Sequence, residues 1–168
     1  VQQDELSQAE AAFQRTIELE PELVEPRSEL VKIYRRTGRS GKIVDMYRTI
    51  LELRPRNIEA AMALALHHHQ QGDSGQAEQY FRELGRRSAE DPAVAGILVR
   101  EYYDRERLEE TQIIVSRLLP WDPDNPSLNY IAGAVYDKLD RPEKALEHYQ
   151  RISPDSDIYP NVVLHLAY

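Results

Sequence analysis

The stretch VEPRSELVKIYRRTGRSGKIVDMYRTILELRPRN, Val24 to Asn57, decides how the whole chain is read. Its apolar residues fall three and four apart, at Leu30, Ile33 and Tyr34 and again at Ile43, Tyr47 and Ile50. That spacing is one face of a 3.6-residue helix, drawn twice. Between the two runs stand Gly38 and Gly41. Glycine there lets the chain leave the first helix through a left-handed cap and enter a second. Pro55 then closes the second helix. An antiparallel pair of this kind cannot bury both apolar stripes alone, so it must stack on a neighbour.

The stretch is 34 residues long, and the rest of the chain keeps the same ruler. Pro21, Pro55 and Pro123 are separated by 34 and by twice 34, with Ala89 at the skipped place. Turn places recur at Asp4, Gly38, Gly72, Glu106 and Asp140, and a large residue recurs at Phe13, Tyr47, Phe81, Val115 and Tyr149. Leu30, Leu64, Leu98, Ala132 and Leu166 form another series, followed one place later by Val31, Ala65, Val99, Gly133 and Ala167. No insertion or deletion interrupts the register, which identifies a repeat array. Asp91 before Pro92 and Asn125 before Pro126 read as N-caps followed by first-turn prolines; Pro142 and Pro160 also fit first turns.

The expectation is ten helices in a single array over 1–168, a piece of a longer protein. It comprises the second helix of a truncated repeat over 1–23, four full repeats over 24–57, 58–91, 92–125 and 126–159, and the start of a further repeat over 160–168. The fold class is all-α, a solenoid of antiparallel helix pairs.

Composition narrows the function classes. Lys and Arg total 21 against 29 Asp and Glu, a net charge of −8. Nucleic acid is a poor partner for such a chain, because phosphate binding draws on a basic surface. No apolar stretch approaches the roughly 18 residues a membrane span needs. There is no cysteine, which excludes disulfides, thiolate catalysis and zinc–thiolate sites. The run His67-His68-His69 invites a metal reading, but consecutive helical residues point about 100° apart and cannot converge on one ion. Counting a calcium loop from Asp122 puts Ser127 and Gly133 where Gly and Glu are required, so Trp121–Pro126 reads as a capped inter-repeat turn. No nucleophile elbow or phosphate-cradling glycine loop occurs, and no catalytic residue, cofactor or metal is assigned.

The pattern resembles the tetratricopeptide repeat, a 34-residue helix-turn-helix family. Leu30-Val31, Tyr34, Gly38, Ile43, Tyr47, Ile50 and Pro55 stand where that family tends to have Leu-Gly, Tyr, Gly, Ala, Phe, Ala and Pro. Leu64-Ala65, Gly72, Ala77 and Phe81 repeat the match, as do Gly133, Tyr136, Ala145 and Tyr149. The family's Trp place holds Arg27, Ala61, Ala95 and Asn129 instead.

The resemblance implies a right-handed superhelix whose first helices line a concave groove, and a protein-interaction scaffold without catalysis of its own. Carried over by place, the groove residues are Lys32, Arg35 and Arg36 at a basic entrance, Met62, Leu66 and His69 in an apolar middle, then Arg100, Tyr103, Tyr130 and Lys138. Arg offers bidentate carboxylate contacts, and Met and Tyr offer adaptable contact area. The implied partner is a protein or peptide segment of acidic and apolar character. Chaperone-binding members of the family clamp a C-terminal carboxylate at places held here by Ser28, Lys32, Ala63, Ala93 and Ile97. Only Lys32 fits, so no such clamp is expected. Two other readings stay open at this level: self-assembly into a homo-oligomer through the repeat ends, and a targeting or regulatory segment of a larger enzyme or envelope assembly.

Overall fold

Each half of every repeat folds as the helix its spacing demands. In the computed structural model, residues 2–166 are described, with all side chains among them except those of Gln2, Gln3, Pro92, Val94, Ala95 and Leu98. The Ala167 place of the repeat series thus lies outside the described residues, as does the side chain of Leu98. The elements are α1 (Gln2–Leu19), α2 (Glu25–Arg36), α3 (Ser40–Leu53), α4 (Ile58–Gln70), α5 (Ser74–Glu90), α6 (Pro92–Asp104), α7 (Leu108–Leu118), α8 (Pro126–Lys138), α9 (Pro142–Tyr149) and α10 (Tyr159–Leu166). No strand occurs among the described residues.

The turn within each pair is the same object four times. Gly38, Gly72, Glu106 and Asp140 all take positive φ, at 70°, 77°, 57° and 56°. In each, the next amide donates back across the turn: Arg39 N to Tyr34 O at 2.9 Å, Asp73 N to His68 O at 2.9 Å, Arg107 N to Tyr102 O at 3.1 Å, and Arg141 N to Tyr136 O at 2.9 Å. This closes a left-handed helix cap whichever residue supplies the positive φ. Side chains seal three of these turns. The Arg39 guanidinium lies 4.6 Å over the Tyr34 ring and Arg107 lies 4.6 Å over Tyr102. His68 Nδ1 meets Asp73 Oδ2 at 3.3 Å in the third.

Asp4, read above as a turn place on the same ruler, is instead inside α1, in its first turn beside Glu5. Two carboxylates there face the positive end of the helix dipole and favour continuing the helix. Where the ruler lacks its proline, at Ala89, α5 runs on to Glu90 and reaches 17 residues against 14 in α3 and 11 in α7. The next helices open on side-chain caps. Asn57 Oδ1 accepts from Ala60 N at 2.9 Å, Asp91 Oδ1 from Ala93 N at 3.2 Å, and Asn125 Oδ1 from Leu128 N at 3.0 Å.

The chain divides into two compact units, Val1–Ala77 and Glu78–Tyr168, with the division inside α5. In the first unit, Leu30, Ile33 and Tyr34 of α2 form a core cluster under Leu6, Ala9, Phe13 and Ile17 of α1 and Ile43 and Met46 of α3. Glu10 of α1 ties this packing down: its Oε2 accepts from Arg39 Nη2 at 2.6 Å and its Oε1 from Nη1 at 2.8 Å. In the second unit, Ala145, Tyr149, Ile152 and Val162 are buried together with Tyr130, Tyr136, Ile158, Tyr159 and Leu166 against them. Gly133 makes room for this cluster. A Cβ there would sit 2.7 Å from Cδ1 and Cζ of the Tyr149 ring, so the ring rests directly on the backbone of α8. Trp121 likewise lies flat against Gly85 of α5 while keeping 42% of its surface exposed.

Candidate protein-binding surface

In the first unit the basic residues come from the end of α2. Arg35 and Arg36 occupy its last turn, opposite Glu25 in the first, so all three complement the helix dipole. Lys32, Arg35 and Arg36 are exposed. Lys32 Nζ pairs with Glu29 Oε1 at 2.6 Å on the same helix face; both side chains are well exposed, so the pair contributes little and yields readily to a competing carboxylate. Arg35 is held differently. Its Nη2 donates to the Tyr47 hydroxyl at 3.0 Å, and that hydroxyl donates to Glu59 Oε1 at 2.9 Å. Tyr47 is 4% exposed, so a buried phenol on α3 positions a guanidinium on α2 and a carboxylate on α4.

Met62 and Leu66, taken from the repeat places as an apolar middle of the groove, are core residues at 0% and 3% exposure. They present no surface to a partner. Buried Ala60, Ala61, Leu64 and Ala65 flank them, so α4 is apolar around most of its circumference and is covered accordingly. His69 is half-buried in the last turn of α4. The ring of His67 has its pKa lowered, first by burial and then by the neighbouring charges of His68 and Arg48. Among the described residues no group of three or more His, Asp or Glu is placed to hold a metal ion.

In the second unit the surface is aromatic. Tyr103 of α6 is half-buried, with Lys138 Nζ of α8 4.8 Å from its ring centroid. Burial pushes the Tyr103 phenol up, and Tyr130, Asp104 and Asp137 add to the shift. Tyr130 lies 6.2 Å from Tyr149, ring to ring. The Tyr149 hydroxyl donates to Asp137 Oδ2 at 2.7 Å, and His165 Nδ1 approaches the same oxygen at 3.1 Å with its ring stacked on Tyr149 at 4.5 Å. Burial, followed by the Asp137 bond and charge, raises the Tyr149 pKa far above that of free tyrosine. That phenol is a hydrogen-bond donor at neutral pH and neither a nucleophile nor a base. A cavity of about 380 Å³ opens beside it, with Leu146, Leu164 and Glu143 on its walls. Arg100 is exposed and makes no ion pair with a described residue.

The structure thus brings Lys32, Arg35 and Arg36 together on α2 and Tyr103, Tyr130 and Lys138 together on α6 and α8. The reading by repeat place did not reveal Tyr47 as the residue that positions Arg35, nor His165 as a partner of Asp137. One signal was available for the first: Tyr47 and Tyr149 are the two phenols at the large-residue place.

Residues 29–92 match the sequence model of the tetratricopeptide repeat, and the four identical turns continue its register through Asp140. Residues 29–92 are tetratricopeptide repeat sequence. Tetratricopeptide repeat proteins serve in general as protein-interaction scaffolds and are generally non-catalytic. Three solved structures align over most of this repeat chain. YrrB, described as a TPR protein with an unusual peptide-binding site, is 20% identical over 98% of this chain and 84% of its own, with a TM-score of 0.46. MamA is 14% identical over 89% and 88%, TM-score 0.47. A tetratricopeptide repeat protein from Parabacteroides merdae is 14% identical over 99% and 80%, TM-score 0.49. No curated protein matches the sequence. No described helix is long and apolar enough to cross a membrane.

Proposed function

We propose that this tetratricopeptide repeat chain binds a partner protein segment non-covalently, using first helices of its pairs, and that the segment carries acidic groups. The observation that carries this reading is the cluster of exposed cations at the end of α2, where Tyr47 presets the Arg35 guanidinium for a bidentate carboxylate contact. A prepositioned side chain loses less freedom on binding than a mobile one. Apolar contact area comes from Tyr103 and Tyr130 in the second unit, whose rings are half-buried and therefore also largely ordered before a partner arrives. The reading gives the chain no catalysis: recognition alone accounts for these side chains.

Peptide display against the immobilised chain tests it, with Lys32→Glu/Arg35→Glu and Tyr103→Ala as counter-screens. Enriched peptides should be acidic and should be lost on the α2 variant. Peptides that bind that variant as well as the parent would move the site away from α2.

A second reading, self-association, is favoured by the exposure of Leu146, Val163 and Leu164 on α9 and α10. Sedimentation over a dilution series separates the two. A dimer that dissociates on dilution and is abolished by Leu164→Glu supports self-association; a monomer at every concentration rules it out.

A further inference from the structure

Asn129 and His148 form a polar pair that the other repeats do not have. The same two places hold Arg27 and Met46, Ala61 and Tyr80, and Ala95 and Ile114. Asn129 is fully buried. Its Nδ2 donates to Pro123 O at 2.7 Å and to Asn125 O at 3.0 Å, which uses both amide hydrogens. Its Oδ1 lies 3.0 Å from His148 Nδ1, so that contact is satisfied only with the hydrogen on the histidine. The imidazole is thereby fixed in one tautomer, with Nε2 keeping its lone pair. The Tyr136 ring lies parallel to it, 5.5 Å away at 9°. Burial, and secondarily the charge of Arg151, lower the His148 pKa and keep the ring neutral. An amide–imidazole pair is costlier to desolvate than the alanine and isoleucine that the preceding repeat has at these places. Its ordering of the ring is the property that repeat lacks.

Beside the pair lies a cavity of about 370 Å³ between the ends of α7 and α9. Val115, Leu119, Pro123 and the Tyr136 ring give it apolar walls, and Arg151 is the charged residue at its edge. The Ser116 hydroxyl at the same edge is engaged with Ile113 O at 2.8 Å. Arg151 is exposed and forms no ion pair with a described residue. An uncommitted guanidinium at the mouth of an apolar, prearranged cavity complements an apolar side chain with a carboxylate close by.

We infer that this cavity docks a bulky apolar side chain of a partner protein segment, with an adjacent acidic side chain of that segment paired to Arg151. The inference rests on the scaffold function but not on the α2 cations, since every residue it uses belongs to the second unit. It adds a second contact point, on the second helices of the pairs, with the same preference for acidic and apolar chemistry.

The test is a two-dimensional NMR titration of the chain with the blocked dipeptide acetyl-Leu-Glu-amide and its neutral isostere acetyl-Leu-Gln-amide. Both should move the resonances of His148 and of residues around Leu119. The acidic peptide should bind about threefold or more tightly, the range of a partly exposed ion pair, and Arg151→Gln should erase the difference while leaving the spectrum otherwise intact. Equal affinities for the two peptides, or shifts confined to residues away from α7 and α9, would overturn the inference. Running the same titration on Lys32→Glu/Arg35→Glu separates the two proposals: the His148 shifts persist there even if the α2 surface proves idle.

Discussion

Tyr47 and Tyr149 stand at the same repeat place in the two units, three periods apart, and so do the residues they meet, Arg35 and Asp137. In the first unit the phenol accepts from a guanidinium and passes its own hydrogen to Glu59. In the second it donates to a carboxylate. A hydroxyl can do either, so the ring packs identically while the charge beside it changes sign. The turns show the same division of labour. Gly38 and Gly72 supply positive φ in the first unit, and Glu106 and Asp140 supply it in the second. The helical frame depends on the register and on a few shapes. The charge displayed at a given place is free to vary, and that freedom is what recognition can use.

The largest expected effect tests the shapes. Gly133 has no Cβ because the Tyr149 ring occupies that space, whereas Val31 and Ala65 fill the same place in the first unit. Gly133→Ala should destabilise the second unit by about 1–3 kcal/mol, the usual range for overpacking. Native-state hydrogen exchange, which reports each unit separately, measures it. A neutral result would mean that Tyr149 is not seated by the missing side chain.

Next come the phenols. Tyr47→Phe and Tyr149→Phe should each cost about 1–1.5 kcal/mol, because each removes a part-buried hydrogen bond to a charged partner. Loss at one position only would show that the two arrangements are not equivalent in energy, and that one of the charges is merely adjacent.

Exchanging the turn residues should have a smaller effect. Glu106 holds a left-handed conformation that costs a non-glycine residue about 1 kcal/mol, so Glu106→Gly should stabilise by roughly that amount. Asp140→Gly should gain less, since Asp tolerates the left-handed region better. Gly38→Ala should lose about 1 kcal/mol through backbone strain alone, because nothing lies within 4 Å of where its Cβ would be. Thermal melts of the three variants decide this. Equal melting points would mean the turns relax.

The smallest effect depends on pH. Arg39 hydrogen bonds hold the Glu10 carboxyl below the usual carboxylate range, against partial burial and with help from the charges of Arg39 and Lys42. Its folded pKa lies below its unfolded one. The contribution is therefore full above the ordinary carboxylate pKa of about 4.3 and is lost as pH falls through the lowered folded value. Denaturant titrations of the parent and Glu10→Gln should differ at neutral pH and converge in acid. In the second unit, the exposed Arg117–Glu78 pair at 3.4 Å should contribute little at either pH.

Much of this was legible in the residues themselves. A 34-residue register without a gap gives helix type, number and turn place, because each rests on local spacing and local backbone chemistry. Asp91 and Asn125 announce their caps in the same way. The candidate surface was legible only in part. Repeat places give an angle around a helix axis, and Met62 and Leu66 have the angle of a groove residue but are covered. The uninterrupted apolar run from Ala60 to Leu66 carried that information, since a helix apolar on all sides is a buried one. The Asp137–Tyr149–His165 cluster joins three helices, and no spacing along one chain segment encodes such a meeting. Asp4 shows the converse. A residue on the ruler becomes a turn only where the local sequence also favours leaving the helix, and two first-turn acids favour staying in it.

The central claim is that the cations at the end of α2, prearranged by Tyr47, recognise acidic segments, while the same place in the second unit, wired to Asp137, does not. An NMR titration with an acetylated peptide alternating Glu and Leu tests it most directly. Beside the shifts expected at His148 and Leu119, the account predicts shifts at Lys32, Arg35 and Arg36 that are lost on Arg35→Glu and diminished on Tyr47→Phe, with Asp137 unmoved. Shifts centred on Asp137, or α2 shifts indifferent to Arg35→Glu, would contradict it.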